Sequence, residues 1–295
     1  MNDSFIPDKI ILGHNQFFGT DHMSSVRGAE RATYFSNIDN VIKIIKYAHE
    51  RGANGLMLST HENSKLILEK IIKDDDLKNN LNIYVLLPYL AKYVKLANER
   101  GMVNMVLEIL GGASFKDKLG IMSAGSFGLL KKDISSMLKA LIDIELLPFK
   151  KVNMKAVFLH NSLTDLMIGL KLDEIALFFN NYIAEKFNVS PAFCTLNSSL
   201  VINYLDFINI KNPLIMAPFN SAGFQMNPSK NEVEKSLKKK KSRMIAMSTL
   251  AAGYIGPQEA YQYISTQDNI KSIVVGASSK KHIKETINYI NSSMT

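Results

Sequence analysis

One arrangement of apolar and polar residues recurs along the chain: a short apolar run, one or two polar residues, a loop and an amphipathic helix. The apolar runs are continuous, which is typical of β-strands covered on both faces. They occur at residues 9–12, 55–58, 83–87, 156–159, 192–194, 214–217, 244–247 and 273–275. Eight strand-then-helix units in 295 residues predict an α/β protein with a single (β/α)₈ TIM-barrel domain over residues 1–295.

The connection after the third apolar run is longer than one helix requires. Its pattern favours helices at 90–100 and 103–110, and a further helix at 134–146 before the fourth strand. The glycine-rich residues at 119–124 fit an extra strand or a turn, but a ninth barrel strand is incompatible with eight units. We therefore expect residues 101–130 to be an insertion that elaborates the third βα connection.

Residues 15–31 are predicted to form a long loop after the first strand, whereas βα loops usually have about 2–6 residues. Arg27 and Arg31 are one helical turn apart within this stretch. Two guanidinium groups at this spacing favour binding of a carboxylate or phosphate. Pairing with Asp21 and Glu30 fits the same residues, and the sequence leaves both readings open.

The composition argues against a membrane-spanning or secreted protein. With 46% apolar residues the chain can bury the core of one barrel, and no apolar run approaches the roughly 18 residues needed to span a bilayer. The first residues are polar and acidic, unlike a signal peptide. Cys194 is the only cysteine and cannot form an internal disulfide. We therefore expect a cytoplasmic protein without a membrane partner.

The formal net charge of +8 invites comparison with nucleic-acid-binding proteins. Much of this charge comes from the lysines at 238–241, which follow acidic residues on a predicted outer helix and fit a solvated face. There is no aromatic-interleaved basic groove and no nucleic-acid-binding motif. We expect a small-molecule substrate and no nucleic-acid partner, while the sequence leaves the oligomeric state open.

Polar residues that directly follow the strands are the candidates for chemistry, because such barrels place functional groups at the carboxyl ends of their strands. We predict His61, Glu62, Tyr89 and His160 as catalytic residues, since these types suit acid–base work. The predicted substrate-binding residues lie in the loops of the same face: His14, Asn15, Arg27, Arg31, Ser59, Asn161, Asn197 and Asn220. Residues after a strand also cap helices, and the sequence does not separate the two roles.

The last strand leads into a candidate anion site. Gly276 permits a tight turn, and Ser278 or Ser279 can cap the helix that follows. Free backbone N–H groups at that helix start, next to Lys280 and Lys281, favour an anion such as phosphate. A helix that merely caps itself has the same sequence.

Five segments resemble the aldo-keto reductase superfamily, in the same order. They are Leu-Gly-His-Asn-Gln-Phe-Phe-Gly at 12–19, Phe-Leu-His-Asn at 158–161, Thr-Leu-Asn at 195–197, Met-Ser-Thr-Leu-Ala-Ala-Gly at 247–253 and Gly-Ala-Ser-Ser-Lys-Lys-His at 276–282. The resemblance covers most of the chain and implies an aldo-keto-reductase-like barrel that binds NADPH. The residues it assigns to the cofactor are Ser248, Leu250, Gly276, Ser278, Ser279, Lys280 and Lys281.

The chain departs from that superfamily at the catalytic positions. The superfamily uses an Asp, Tyr, Lys and His set, and only His160 matches it. Ser59 stands at the Asp position, Leu87 and Pro88 fall where the lysine ends the third strand, and no tyrosine occurs in the dozen residues after Ser59. Met216 stands where a carboxamide-binding glutamine is usual. Without the phenol and lysine, hydride delivery to a carbonyl lacks its general acid.

We therefore expect an enzyme that acts on a small anionic metabolite through histidine-based proton transfer, as in an isomerase, lyase or dehydratase. One alternative is an NADPH-dependent oxidoreductase in which Tyr89 is a relocated acid. A second is a metal-dependent enzyme using His14, His61, Glu62 and His160, although no metal-binding spacing is present and no metal is expected. A third is a nucleotide-binding protein without catalysis, as in the superfamily's potassium-channel β-subunit branch.

Overall fold

The chain folds into a closed barrel of eight parallel strands paired in sequence order, with β8 next to β1. The computed structural model describes residues 5–20, 24–88, 134–239, 242–276 and 278–294, and only the backbone of 134–137. The strands are β1 (Ile10–Gly13), β2 (Gly55–Ser59), β3 (Asn82–Leu87), β4 (Met154–Leu159), β5 (Ser190–Cys194), β6 (Leu214–Pro218), β7 (Arg243–Met247) and β8 (Ile270–Gly276). The predicted (β/α)₈ barrel is confirmed.

Helices surround the barrel. In the described ranges they are α1 (Ser25–Phe35), α2 (Ile38–His49), α3 (Glu62–Ile72), α4 (Asp75–Asn80), α5 (Ile134–Leu146), α6 (Asn161–Gly169), α7 (Asp173–Phe187), α8 (Ser198–Phe207), α9 (Lys230–Lys239), α10 (Pro257–Ser265) and α11 (Lys280–Ser293). None of these helices is long and apolar enough to cross a membrane.

The strands separate two apolar layers, because successive side chains of a strand point to opposite faces. On β2, Met57 packs inside the barrel, whereas Leu56 and Leu58 pack against the surrounding helices. On β4, Phe158 points inward in the same way. This alternation puts Ser59, the last residue of β2, on the inward face at the carboxyl end of the barrel.

A hydrogen-bonded network closes the amino-terminal end of the barrel. The Tyr84 hydroxyl donates to the Asp8 carboxylate at 2.6 Å, and the Asn82 amide donates to the same carboxylate. Asn153 donates to Asn82 at 2.7 Å, and the Ser272 hydroxyl donates to the Asp8 carbonyl at 2.6 Å. Burial raises the pKa of Tyr84, so its hydroxyl remains a donor. The network ties the chain before β1 to β3, β8 and the residue before β4.

The stretch predicted as a loop at 15–31 contains regular structure, so that prediction is wrong. A 3₁₀ turn covers Asn15–Phe18, and α1 begins at Ser25 after its cap Ser24. Most residues of α1 are exposed and few are buried, among them Phe35, so the stretch has too few apolar residues to stand out as a core-facing helix in the sequence. The predicted insertion at 101–130 lies outside the described residues.

Candidate active site at the mouth of the barrel

Three histidines follow barrel strands at the carboxyl end, which we call the mouth. His14 comes after β1, His61 comes two residues after β2, and His160 comes after β4. The charges of His61 and His160 both act on His14. Sequence-distant imidazoles are thus brought together by the closure of the barrel.

His14 is the most buried of the three, with 8% of its surface exposed. The pKa of His14 is lowered to about 4, mainly because burial removes the ring from water. A hydrogen bond to the backbone of Met57 raises the pKa in part, and the nearby His61 and His160 lower it further. Its buried Nδ1 has no hydrogen-bond partner in the part of the chain that the structure describes. His14 is therefore neutral at pH 7 and carries an unsatisfied polar atom.

His61 caps the start of α3. Its Nδ1 accepts a hydrogen bond of 3.0 Å from the backbone N–H of Asn63. The ring of Phe18 stacks on the imidazole, with centroids 4.2 Å apart and planes at 13°. Burial lowers the pKa of His61, and the exposed Glu62 raises it in part. Since Nδ1 accepts, the proton of the neutral ring is on Nε2.

His160 caps α6 in the same way. Its Nδ1 accepts a hydrogen bond of 3.3 Å from the backbone N–H of Ser162, so its neutral ring also carries the proton on Nε2. Desolvation lowers the pKa of His160, and Asp165 opposes that effect. The carboxylate of Asp165 also accepts from the Thr195 hydroxyl and from the backbone N–H of Leu196. Asp165 thus joins the loop after β5 to the helix after β4.

Ser59 supplies a second unsatisfied group at the mouth. The residue is 3% exposed, and its buried Oγ has no hydrogen-bond partner within the described ranges. Its carbonyl accepts from the Ser64 hydroxyl at 2.7 Å, so the backbone is satisfied while the side chain is not. A buried polar atom without a partner typically costs about 1–3 kcal/mol, and such atoms mark positions where a ligand would be stabilising.

Two of the other predicted substrate-binding residues, Asn197 and Asn220, use their side chains in hydrogen bonds to the protein backbone. Asn197 caps α8 by accepting from the N–H of Leu200 at 3.1 Å. Asn220 is fully buried, and its amide bonds to backbone groups of Phe224 and Ser248. Their predicted contacts with a substrate stay predictions. Asn161 is half-buried, Asn15 and Arg27 are exposed, and Tyr89 lies outside the described residues.

A second, cationic pocket of about 450 Å³ lies where α11 begins. It is lined by Ser278, Ser279 and Lys280, by Arg31 and Lys43 from α1 and α2, and by one acidic residue, Glu30 of α1. Ser279 caps α11 by accepting from the N–H of His282 at 3.3 Å. The structure thus brings Arg31 next to the predicted anion site, whereas Arg27 and Lys281 are not among the lining residues.

The segment after β7 has a strained backbone beside its predicted cofactor contacts. Ser248 has a φ of 52°, and Ala251 and Ala252 have φ values of 46° and 58°. Leu250 is half-buried and packs against the apolar core, and Gly276 is exposed at the end of β8. Positive φ values in non-glycine residues occur where the surrounding structure enforces them, often at ligand sites.

Sequence reasoning missed Phe18 and Asp165. Phe18 lies in a segment quoted only for its resemblance, and a single aromatic residue in a loop gives no sign of what it stacks on. Asp165 lies on the first turns of a helix, where an acidic residue is expected on electrostatic grounds alone.

A cleft of about 860 Å³ also opens at the amino-terminal end, lined by residues such as Asn153, Lys155 and Asn181. We place the site at the mouth, where the three histidines with lowered pKa values lie.

Among the described residues, no group of three histidine, cysteine or acidic side chains is arranged to hold a metal ion.

Solved structures share this fold. A candidate aldo-keto reductase from Pseudomonas aeruginosa matches 99% of this chain and 92% of its own, with a TM-score of 0.63 and 10% identity. An aldo/keto reductase from Brucella melitensis matches 100% and 93%, with a TM-score of 0.58 and 12% identity. An aldo-keto reductase from Bacillus halodurans, in its holo form, matches 86% and 81%, with a TM-score of 0.54 and 11% identity. The chain has an aldo-keto-reductase-like barrel.

No protein-family model matches the sequence, and no curated protein matches it in sequence. The likeness is thus one of fold, at identities of 10–12% in these three pairs. The resemblance drawn from the five short segments is confirmed at the level of the barrel.

Proposed function

We propose that this protein is an enzyme that acts on a small, anionic, oxygen-bearing metabolite at the mouth of its aldo-keto-reductase-like barrel. The chemistry is histidine-based proton transfer, of the isomerase, lyase or dehydratase type. The observation that carries the proposal is the cluster of His14, His61 and His160, in which the most buried ring has an unsatisfied Nδ1. Titratable groups with shifted pKa values that face one cavity are typical of active sites.

The electrostatics of the mouth support an anionic ligand. The amino-terminal ends of α3 and α6 both meet the mouth, at His61 and His160. Helix N-termini carry partial positive charge and favour negative ligand groups. The unsatisfied Ser59 hydroxyl offers a further contact to an oxygen. An imidazole that is neutral at pH 7 can polarise a carbonyl by hydrogen bonding without a full charge.

The test is to identify what the mouth binds. Purified protein is denatured, and the released small molecules are measured by mass spectrometry, together with metal analysis. We expect an anionic metabolite that raises the melting temperature of the wild-type protein by mass action on the folded state. The same metabolite should leave the melting temperature of His14→Gln and His160→Asn variants unchanged. An equal shift in all three proteins would place the binding site elsewhere.

The alternative of an NADPH-dependent oxidoreductase has one specific observation in its favour, the cationic pocket at α11. Arg31, Lys43 and Lys280 surround the capped helix start, and together they suit the phosphate of a dinucleotide. The nicotinamide end is less well matched, because the Asn197 side chain caps α8 and Thr195 donates to Asp165. NADPH, when bound, supplies a hydride, and the residues near α11 would hold its phosphate.

The two readings differ in a simple assay. NADPH at about 100 times its dissociation constant stabilises a folded protein by roughly 2.7 kcal/mol, which is readily seen as a raised melting temperature. Lys280→Ala should abolish the shift, and Lys284→Ala, an exposed lysine further along the same helix, should preserve it. We expect no appreciable reduction of aldehydes or ketones by the wild-type protein. Brisk reduction would support the oxidoreductase reading, with Tyr89 as the relocated acid.

A further inference from the structure

The two ring nitrogens of His14 are in different situations. A hydrogen bond to the backbone of Met57 raises the pKa of His14, so the backbone group is an acceptor, which is the Met57 carbonyl. The buried Nδ1 has no partner among the described residues. The nitrogen that donates to Met57 is therefore Nε2.

The protonation state of His14 makes the unpartnered nitrogen an acceptor. Because the pKa of His14 is lowered to about 4, the ring is neutral at pH 7. A neutral imidazole has one N–H group and one nitrogen with a free lone pair. With the N–H group on Nε2, Nδ1 presents the lone pair. It is a group of the other molecule, a donor, that would satisfy it.

The strands beside β1 determine where this lone pair is found. His14 directly follows Gly13, which pairs with Gly276 at the end of β8, and β1 pairs with β2 on its other side. The ring of Phe18 is tilted against the imidazole, with centroids 5.3 Å apart, and His14 is 8% exposed. The acceptor is thus in a part of the mouth from which water is largely excluded, where an unmade hydrogen bond is costly.

Two further buried atoms at the carboxyl ends of these strands have no partner in the described ranges, Oε1 of Gln16 and Oγ of Ser59. The Gln16 amide ends beside β8, because a Cβ added to Gly276 would lie 3.5 Å from its Nε2. Ser59 is the last residue of β2. Unpaired polar atoms that come from neighbouring elements indicate a place for a polar ligand group.

We propose that Nδ1 of His14 accepts a hydrogen bond from a hydroxyl group of the ligand, so that the metabolite bound at the mouth carries a hydroxyl as well as its anionic group. Gln16 and Ser59 are the polar side chains beside this subsite. The inference rests on the proposed function, because it names the substrate class of the same site. That class is hydroxy acids or hydroxyl-bearing phosphates, as opposed to plain carboxylates or oxo acids.

The first test needs no ligand. The imidazole nitrogens are observed by ¹⁵N NMR at pH 7, and the His14 signals are assigned by their absence from the His14→Gln variant. We expect the proton of His14 on Nε2 and an Nδ1 signal typical of a nitrogen without a proton. An N–H group on Nδ1 would overturn the inference, because that atom would then donate.

The second test uses three acids of similar size that differ at one position. Lactate carries a hydroxyl next to its carboxylate, propionate carries only hydrogens there, and pyruvate carries an oxo group. Each acid is titrated into the protein while the His14 Nδ1 signal is followed. We expect one enantiomer of lactate to move this signal and to bind about fivefold or more tightly than propionate and pyruvate, as one ordinary hydrogen bond would. Equal binding of all three acids, or no response of Nδ1 to either enantiomer, would overturn the inference.

Two substitutions at His14 separate the roles of its nitrogens. His14→Asn keeps an acceptor near the position of Nδ1, whereas His14→Gln keeps a donor near the position of Nε2 and loses the Nδ1 acceptor. The preference for lactate, read from the NMR signals of the acids, should survive in His14→Asn and disappear in His14→Gln. His282→Gln changes an exposed histidine of α11 and should keep the preference. An undiminished preference in His14→Gln would contradict the assigned subsite.

The metabolite released from the purified protein tests this inference separately from the proposed function. A released anion without a hydroxyl would overturn the inference, and the proposed proton-transfer chemistry would stand. A lactate preference that depends on His14, together with full turnover in His160→Asn, would support the hydroxyl subsite and reject the proposed chemistry.

Discussion

A hydrogen-bonded network at one end of the barrel contrasts with two unsatisfied polar atoms at the other end. At the amino-terminal end, Tyr84, Asp8 and Ser272 are joined by hydrogen bonds of 2.6 Å. At the carboxyl end, the Nδ1 of His14 and the Oγ of Ser59 are equally buried, yet neither has a partner among the described residues. The contrast concerns these groups and not every polar atom of each end, since the buried Oγ of Ser242, directly before β7, also lacks a partner among the described residues. The unsatisfied His14 and Ser59 atoms are at the end where barrels of this class bind their ligands.

This difference shows why cavity size does not locate the site. The larger of the two clefts discussed, about 860 Å³, opens at the amino-terminal end, away from the three histidines. The histidines with lowered pKa values are all at the mouth. General acid–base chemistry depends on groups that can exchange a proton near neutral pH, and the three histidines bring such groups to the mouth.

The largest expected effect is the removal of Tyr84, which is fully buried inside the barrel. Tyr84→Ala deletes a packed ring and the hydrogen bond to Asp8, and we expect the free energy of unfolding to fall by about 3–5 kcal/mol. Tyr254→Ala is the control, because Tyr254 is 86% exposed. Chemical denaturation measures both. A loss no greater than that of the control would remove the amino-terminal end from its stabilising role.

The next effect is a pH dependence caused by His14. Its pKa is about 4 in the folded protein and about 6.5 in an unfolded chain, so between these values the unfolded state binds a proton that the folded state does not. The free energy of unfolding should therefore decrease as the pH falls from about 6.5 to about 4, by up to about 3 kcal/mol. The difference between the wild type and His14→Gln isolates this contribution from the carboxylates. Parallel pH profiles for the two proteins would contradict it.

The third effect concerns turnover of the metabolite identified at the mouth. His160→Asn keeps an acceptor for the Ser162 N–H but removes the Nε2–H donor, and we expect turnover to fall by roughly 10²-fold. Its melting temperature should stay close to that of the wild type because the cap is kept. Asn37→Ala, which removes the cap of α2 and not that of α6, should reduce stability by about 1 kcal/mol and leave turnover unchanged. Full activity in His160→Asn would place the site elsewhere.

The smallest effect is a direct comparison of two buried serines. Ser272→Ala removes a hydroxyl that donates to the Asp8 carbonyl, and we expect a loss of about 1 kcal/mol in the free energy of unfolding. Ser59→Ala removes a hydroxyl without a partner in the described residues and should be neutral or slightly stabilising, while weakening ligand binding. If Ser59→Ala destabilised the protein as much as Ser272→Ala, the contrast between the two ends would fail.

The sequence alone determined the order of the barrel. Each strand is a short apolar run, and polar residues such as Ser59 and His160 mark the carboxyl ends of several of them. Periodicity of this kind depends only on nearest neighbours along the chain, so it can be recognised without any contact information. The same reasoning placed His14, His61 and His160 after β1, β2 and β4, where the structure has them.

The tertiary structure decided everything that depends on contacts between distant segments. The ring of Phe18 stacks on His61, and no spacing in the sequence reveals that contact. The approach of Arg31 to α11 required the polar stretch before α2 to be a helix, which its few apolar residues concealed. Desolvation acts through the whole surroundings of a group, so the lowered pKa of His14 is a property of the closed barrel and cannot be read from its neighbours in the chain.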